Sequence, residues 1–284
     1  MWDKDNETEN VTRRAALGRG VGVAAMGATF AFATAVSAPS AAAAPSAAAA
    51  PSAAAAPGPA PRDRNSASST GALPRTVAGI RIPAGEVAQR TAAFARSVSS
   101  ETLFNHVMRT YLYGCVLFDR RGVHYDRELA FVATALHDLG LVEAYRTPTE
   151  RFEVDGADAA QRFLREQRMP AERVAVVWDA IALHTNIGIA IRKRPEIAMV
   201  AVGSGLDFTG NDIQQIPSGT LEEILGTFPR KGFKQDALDN ILSLCRTKPM
   251  STLMHPFAEV GRRHIPEFPV PTVEDLLLAA PFEE

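Results

Sequence analysis

From Glu86 onward, apolar residues recur three and four positions apart, the spacing of one helix face rather than the alternation of a strand. Phe104, Val107, Tyr111 and Cys115 form one stripe, with Ser99-Ser100 before it to cap a helix. Leu129, Val132, Ala133 and Leu136 form a second, opened by Asp126, with Gly140 as its terminator. Asp155 opens a third helix carrying Ala159, Ala160 and Phe163. Pro170 precedes a fourth with Val174, Val177 and Ile181 inward, and Pro195 starts a fifth with Ile197, Val200 and Ser204 in line. Further helices are expected around Leu221 to Leu225, Asp236 to Cys245, Leu253 to His264 and Thr272 to Ala279. No segment alternates as a strand does, and the pattern predicts an all-α helical bundle.

The first 75 residues follow different rules. Residues 39–57 repeat PSAAAA three times, a composition with too little apolar bulk to offset its own ordering entropy, so 39–75 reads as a disordered spacer rich in Ala, Pro and Ser. Ahead of it, Thr12-Arg13-Arg14 precedes an uncharged run from Gly20 to Ala38, and Ala33-Thr34-Ala35 and Val36-Ser37-Ala38 offer small-residue cleavage sites. This is the form of an export signal over residues 1–38, and the paired arginines suggest the twin-arginine machinery as its partner. The run is built largely of Ala, Gly and Thr, so stable membrane insertion is not expected. An exported single domain over 76–284 follows.

Charge narrows the partners. The first 75 residues hold 7 of the 30 basic and 5 of the 32 acidic side chains, which leaves the remainder at −4. A mildly acidic domain without a basic stripe is not built for nucleic acid, and a small-molecule substrate fits better. Cys115 and Cys245 each lie in an apolar helical segment and are expected to be unpaired core thiols.

Titratable residues fall on the same stripes. His106 lies three positions beyond Leu103, His137-Asp138 end the second helix beside Leu136, His184 lies three beyond Ile181, and Asp207 lies seven beyond Val200. Four helices thus direct imidazole or carboxylate toward one interior. Burying carboxylates there costs several kcal/mol unless a cation compensates. One divalent ion resolves the conflict by supplying positive charge and holding the imidazoles neutral. Two nitrogens and two carboxylate oxygens, from His106, His137, Asp138 and Asp207, suit Zn2+, and also Fe2+, Mn2+ or Ni2+. His124, in a loop beside Gly122, and His255 and His264, near prolines in the tail, are not expected as ligands.

The series His106, His137-Asp138, Asp207 resembles the HD-domain superfamily of metal-dependent hydrolases. Longer stretches are similar to its cyanamide hydratase branch: Asn105-His106-Val107-Met108-Arg109-Thr110-Tyr111, Ala135-Leu136-His137-Asp138-Leu139-Gly140, Phe152-Glu153-Val154-Asp155-Gly156-Ala157 and Leu183-His184-Thr185. The resemblance covers residues 98–212, about two-fifths of the chain, and departs from the branch at Asn186. It implies an HD-type bundle, metal ligation by His106, His137, Asp138 and Asp207, and a substrate pocket lined by His184 and Thr185. Phe152, Asp155, Asn186 and Arg109 are further pocket candidates, with a salt bridge beside the site as an equal reading of Arg109. The implied reaction is addition of metal-bound hydroxide to a cyanamide- or nitrile-like substrate. In that scheme Asp138 holds the ion, His184 shuttles the proton and Thr185 contacts substrate. Two alternatives stand beside it. One is a phosphohydrolase of nucleotides or small phosphate esters, for which Arg192-Lys193-Arg194 is the nearest basic run. The other is a metal-retaining binding module without turnover. The tail from Phe228 onward is expected either to close over the pocket or to pack against a second subunit of a homo-oligomer.

Overall fold

The computed structural model describes residues 73–282. The expected export signal and all but the last three positions of the spacer lie outside the described residues.

The bundle is all-α, as the periodicity predicts, and is organised around α2 (Glu101–Arg120). The Ser100 hydroxyl accepts from the Leu103 amide at 3.1 Å, which satisfies one of the free donors at the start of α2. Sixteen of its 20 residues are buried, so the helix is enclosed on all sides. Against it lies α7 (Pro195–Thr209), and glycines permit the close approach: a Cβ on Gly203 would stand 2.2 Å from the carbonyl oxygen of Thr110. Against this pair pack α1 (Glu86–Val98), α3 (Arg127–Leu136) and α5 (Ala171–Leu183), and α4 (Phe152–Glu166) lies on α5. Asp126 caps α3 by accepting from the Leu129 amide at 2.9 Å, and Arg173 at the start of α5 donates to its other oxygen at 2.6 Å.

Several boundaries differ from the sequence expectation. The third long helix begins at Phe152, three residues before Asp155, and a short α6 (Ile187–Ala190) follows His184. Gly140 does not end a helix in the left-handed region. α3 stops at Leu136, and Gly140 sits in a 3₁₀ turn, Leu139–Leu141, where a Cβ would come within 1.8 Å of the Phe152 carbonyl oxygen. Glycine is needed there because the turn after His137-Asp138 lies directly on the start of α4. A small antiparallel pair, Thr76–Val77 with Ile80–Arg81, turns through Ala78-Gly79, both at positive φ. Two-residue strands are too short to leave an alternating pattern.

Beyond α7 come α8 (Ser218–Thr227), α9 (Phe233–Thr247), α10 (Phe257–His264) and α11 (Val273–Leu278). The helix expected over Leu253 to His264 starts four residues late, at Phe257. A 3₁₀ turn at Pro249–Thr252 precedes Met254 at φ +58, and α10 begins only after Pro256. Cys115 and Cys245 are buried and unpaired. Among the described residues no helix is long and apolar enough to cross a membrane.

Candidate metal centre

His106 comes from the second turn of α2, His137 and Asp138 from the end of α3, His184 from the end of α5 and Asp207 from α7. The fold brings His106, His137 and Asp138 together, with one candidate ligand atom of each inside 4.8 Å of the others. His106 Nε2 and His137 Nε2 lie 3.4 and 3.3 Å from Oδ2 of Asp138, and His184 Nε2 lies 3.6 Å from Oδ1.

The far side of each ring is also fixed. His137 Nδ1 is 2.8 Å from the Thr134 carbonyl oxygen, and His184 Nδ1 is 2.7 Å from that of Ile181. A carbonyl only accepts, so both rings carry their proton on Nδ1 and present the Nε2 lone pair inward. His106 Nδ1 lies 2.7 Å from Oδ2 of Asp207. Ring nitrogens anchored this way are the arrangement that orients histidine toward a metal. The sharpest sign is His137 Nε2, which is buried and has no hydrogen-bond partner among the described residues. A lone pair left unmet in the interior is costly unless a cation takes it, so the donor set fits a divalent ion.

Charge around the set is unequal. Burial, with His184 and His106 adding to it, lowers His137 to about 3, so its ring is neutral. Burial acts in the same direction on His106, but hydrogen bonds to Asp138 and Asp207 outweigh it and push that ring up to about 9. Asp138 is held well below the carboxylate range: burial opposes this, and the surrounding imidazoles, with the hydrogen bond from the charged His106 ring among them, overcome it.

Asp207 does not join the group. Its carboxylate takes a two-pronged pair from Arg109, Nε to Oδ1 at 2.8 Å and Nη2 to Oδ2 at 2.7 Å, and Arg230 Nη1 donates to Oδ1 at 2.8 Å. Arg109 is therefore no pocket residue. It is fully buried, and its remaining nitrogen donates to the carbonyls of Phe228 and Pro229. Asp155 is likewise removed from the pocket, because Lys248 and Thr147 occupy its two oxygens.

Phe152, by contrast, lies edge-on to His184 with centroids 5.5 Å apart. Thr185 donates its hydroxyl to Oε1 of Glu153 at 2.5 Å, and Asn186 Nδ2 approaches the same hydroxyl at 3.4 Å. Sequence reasoning passed over Glu153, which is buried and also accepts from Arg151 Nη2 at 2.6 Å and His255 Nε2 at 3.0 Å. His255 braces this carboxylate from the tail. Phe233, also unforeseen, stacks on His106 at 4.7 Å. An acid in the first turn of a helix gives no hint that its partner lies 102 residues away; only the Phe-Glu-Val-Asp string marked the place.

Glu153 gives an expected pH effect. Burial opposes its ionisation, but hydrogen bonds from His255, Arg151 and Thr185 prevail and hold it well below its ordinary 4.5. A lowered folded-state value means the stabilisation is present above 4.5 and lost as pH falls from there toward the folded value. Urea unfolding between pH 6 and 3 is expected to show a shallower acid loss in Glu153→Gln than in the parent; equal slopes would contradict this account.

Residues 103–202 match the HD domain family. That segment holds His106, His137, Asp138 and His184, while Asp207 lies just beyond it. No curated protein matches the chain.

Proposed function

We propose that this chain is a metal-dependent hydrolase whose HD segment adds water to a small neutral substrate, with a nitrile such as cyanamide as the favoured class and Zn2+ as the favoured ion. The observation that carries it is the convergence of inward-facing Nε2 atoms on Asp138, with that of His137 otherwise unpartnered. A bound divalent ion supplies Lewis acidity and brings the pKa of water toward neutrality.

The chain's own residues supply the rest. His184 faces the second oxygen of Asp138 with its Nδ1 held by Ile181, so its Nε2 is placed to take and return a proton. Thr185 donates its hydroxyl hydrogen bond to the ionised Glu153, and beside the long Asn186 contact its oxygen keeps a lone pair to accept an N–H from substrate. Phe152 and Phe233 flank the imidazoles and limit water.

A second reading, hydrolysis of phosphate esters, is favoured by the HD match itself. Against it stands the engagement of the nearby guanidiniums. Arg109 and Arg230 are bound to Asp207 and Arg151 to Glu153, leaving little free positive charge for a phosphate. We also propose that the domain is exported by the twin-arginine route suggested by Arg13-Arg14, which carries folded proteins and would let the ion be loaded beforehand.

Assay of the metal-loaded protein against cyanamide, other nitriles and a phosphate-ester panel separates these readings. Urea release from cyanamide supports the first, phosphate release alone replaces it with the second, and a bound ion without turnover defeats both. His184→Ala is expected to keep its ion and lose about 10²- to 10⁴-fold in kcat. An unchanged rate removes His184 from the mechanism.

A further inference from the structure

Resting on the reading that an ion binds at His106, His137 and Asp138, we infer that Asp207 does not ligate it and instead positions His106, so that the chain supplies two imidazoles and one carboxylate. Three observations support this.

The first is direction. The His106 ring stands between two carboxylates, with Nδ1 2.7 Å from Asp207 and Nε2 3.4 Å from Asp138. An ion shared by His106 Nε2, His137 and Asp138 therefore sits across the ring from Asp207.

The second is capacity. A carboxylate offers about four lone-pair directions. Asp207 receives four donors on its side-chain oxygens: Arg109 Nε and Arg230 Nη1 on Oδ1, Arg109 Nη2 and His106 Nδ1 on Oδ2. None is left for an ion.

The third is charge. Two guanidiniums already balance Asp207, and freeing it would leave Arg109, which has no exposed surface, as an uncompensated buried cation. The carboxylate and the arginines act as one unit, fixing the rotation of the imidazole through its far nitrogen. A protein set of three leaves more of the coordination sphere to water and substrate than a set of four, which is the pattern of a catalytic rather than a structural site.

Crystals of the unsubstituted protein soaked with Zn2+ or Co2+ test this directly. The expected result is one ion at His106 Nε2, His137 Nε2 and Asp138, with Asp207 still on Arg109 and His106. An Asp207 oxygen at roughly 2.0–2.2 Å from the ion overturns the inference while leaving the metal-dependent reading intact. An ion absent from all three side chains overturns both. In solution, Asp207→Asn is expected to bind one equivalent of Co2+ about 10- to 100-fold more weakly, with its ligand-field absorption bands in the parent positions. Bands displaced as they are in Asp138→Asn mark Asp207 as a ligand.

Discussion

Asp138→Ala is expected to release the ion and abolish turnover. Oδ2 of Asp138 is the point on which His106 Nε2 and His137 Nε2 converge, and Oδ1 faces His184. Truncation removes the only anionic member of the three-residue group and leaves two imidazoles to hold a dication without a counter-charge. Disturbing residues that merely orient ligands already costs about 10- to 100-fold in metal affinity, so deleting this ligand should exceed about 100-fold. The substitution does not disturb the apolar core: the carboxylate lies at a helix end, and the neighbouring Leu136 and Leu139 keep their packing. Near-ultraviolet circular dichroism is therefore expected to match the parent, while metal analysis after dialysis shows well under one ion per chain and the rate falls with it. A stoichiometric ion surviving in Asp138→Ala would remove the centre from its assigned place.

How much of this was legible in the sequence depended on the range of the interaction. The stripes of α2, α3, α5 and α7 repeat every three or four residues, and the caps at Ser100 and Asp126 reach only three residues ahead, so periodicity and capping were local signals. His137 and Asp138 were legible for the same reason, as adjacent polar residues at the inner end of an apolar stripe. Asp207 was placed correctly as inward, but helical spacing says which face a side chain lies on and not which side of a neighbouring ring it meets. Arg109 sits three residues after His106, one turn along the same helix, and local pattern cannot tell a guanidinium meant for substrate from one held by an aspartate 98 positions later. The tail was least legible. His255, Lys248, Arg230 and Phe233 meet their partners across long stretches of chain, and their surroundings in sequence look like an ordinary polar surface interrupted by prolines.

Asp155→Asn is expected to cost about 3–5 kcal/mol, because it strands the ammonium of Lys248 in the interior. Lys248 and Asp155 are both buried and directly paired, and among the described residues the ammonium's other acceptor is the Thr147 carbonyl, at 2.9 Å. Asparagine preserves volume and can still accept from Thr147, so packing and neutral hydrogen bonds change little and the lost charge dominates. Against a typical total of about 5–15 kcal/mol this is severe, and for a domain of this size it corresponds to a fall in Tm of roughly 6–20 °C. Adding Lys248→Met should recover much of the loss, since replacing both members of a buried pair with neutral groups is often close to harmless. Thermal and urea unfolding of the parent, the two single variants and the double variant form the cycle that measures the coupling; an Asp155→Asn change below about 1 kcal/mol would show that the pair anchors nothing. The same pair governs the site from a distance. Lys248 joins α9 to the 3₁₀ turn that leads into His255, and His255 braces the Glu153 that holds the Thr185 hydroxyl. Loosening that anchor should therefore lower turnover more than metal content, because Thr185 loses its orientation while His106, His137 and Asp138, on α2 and the end of α3, keep theirs.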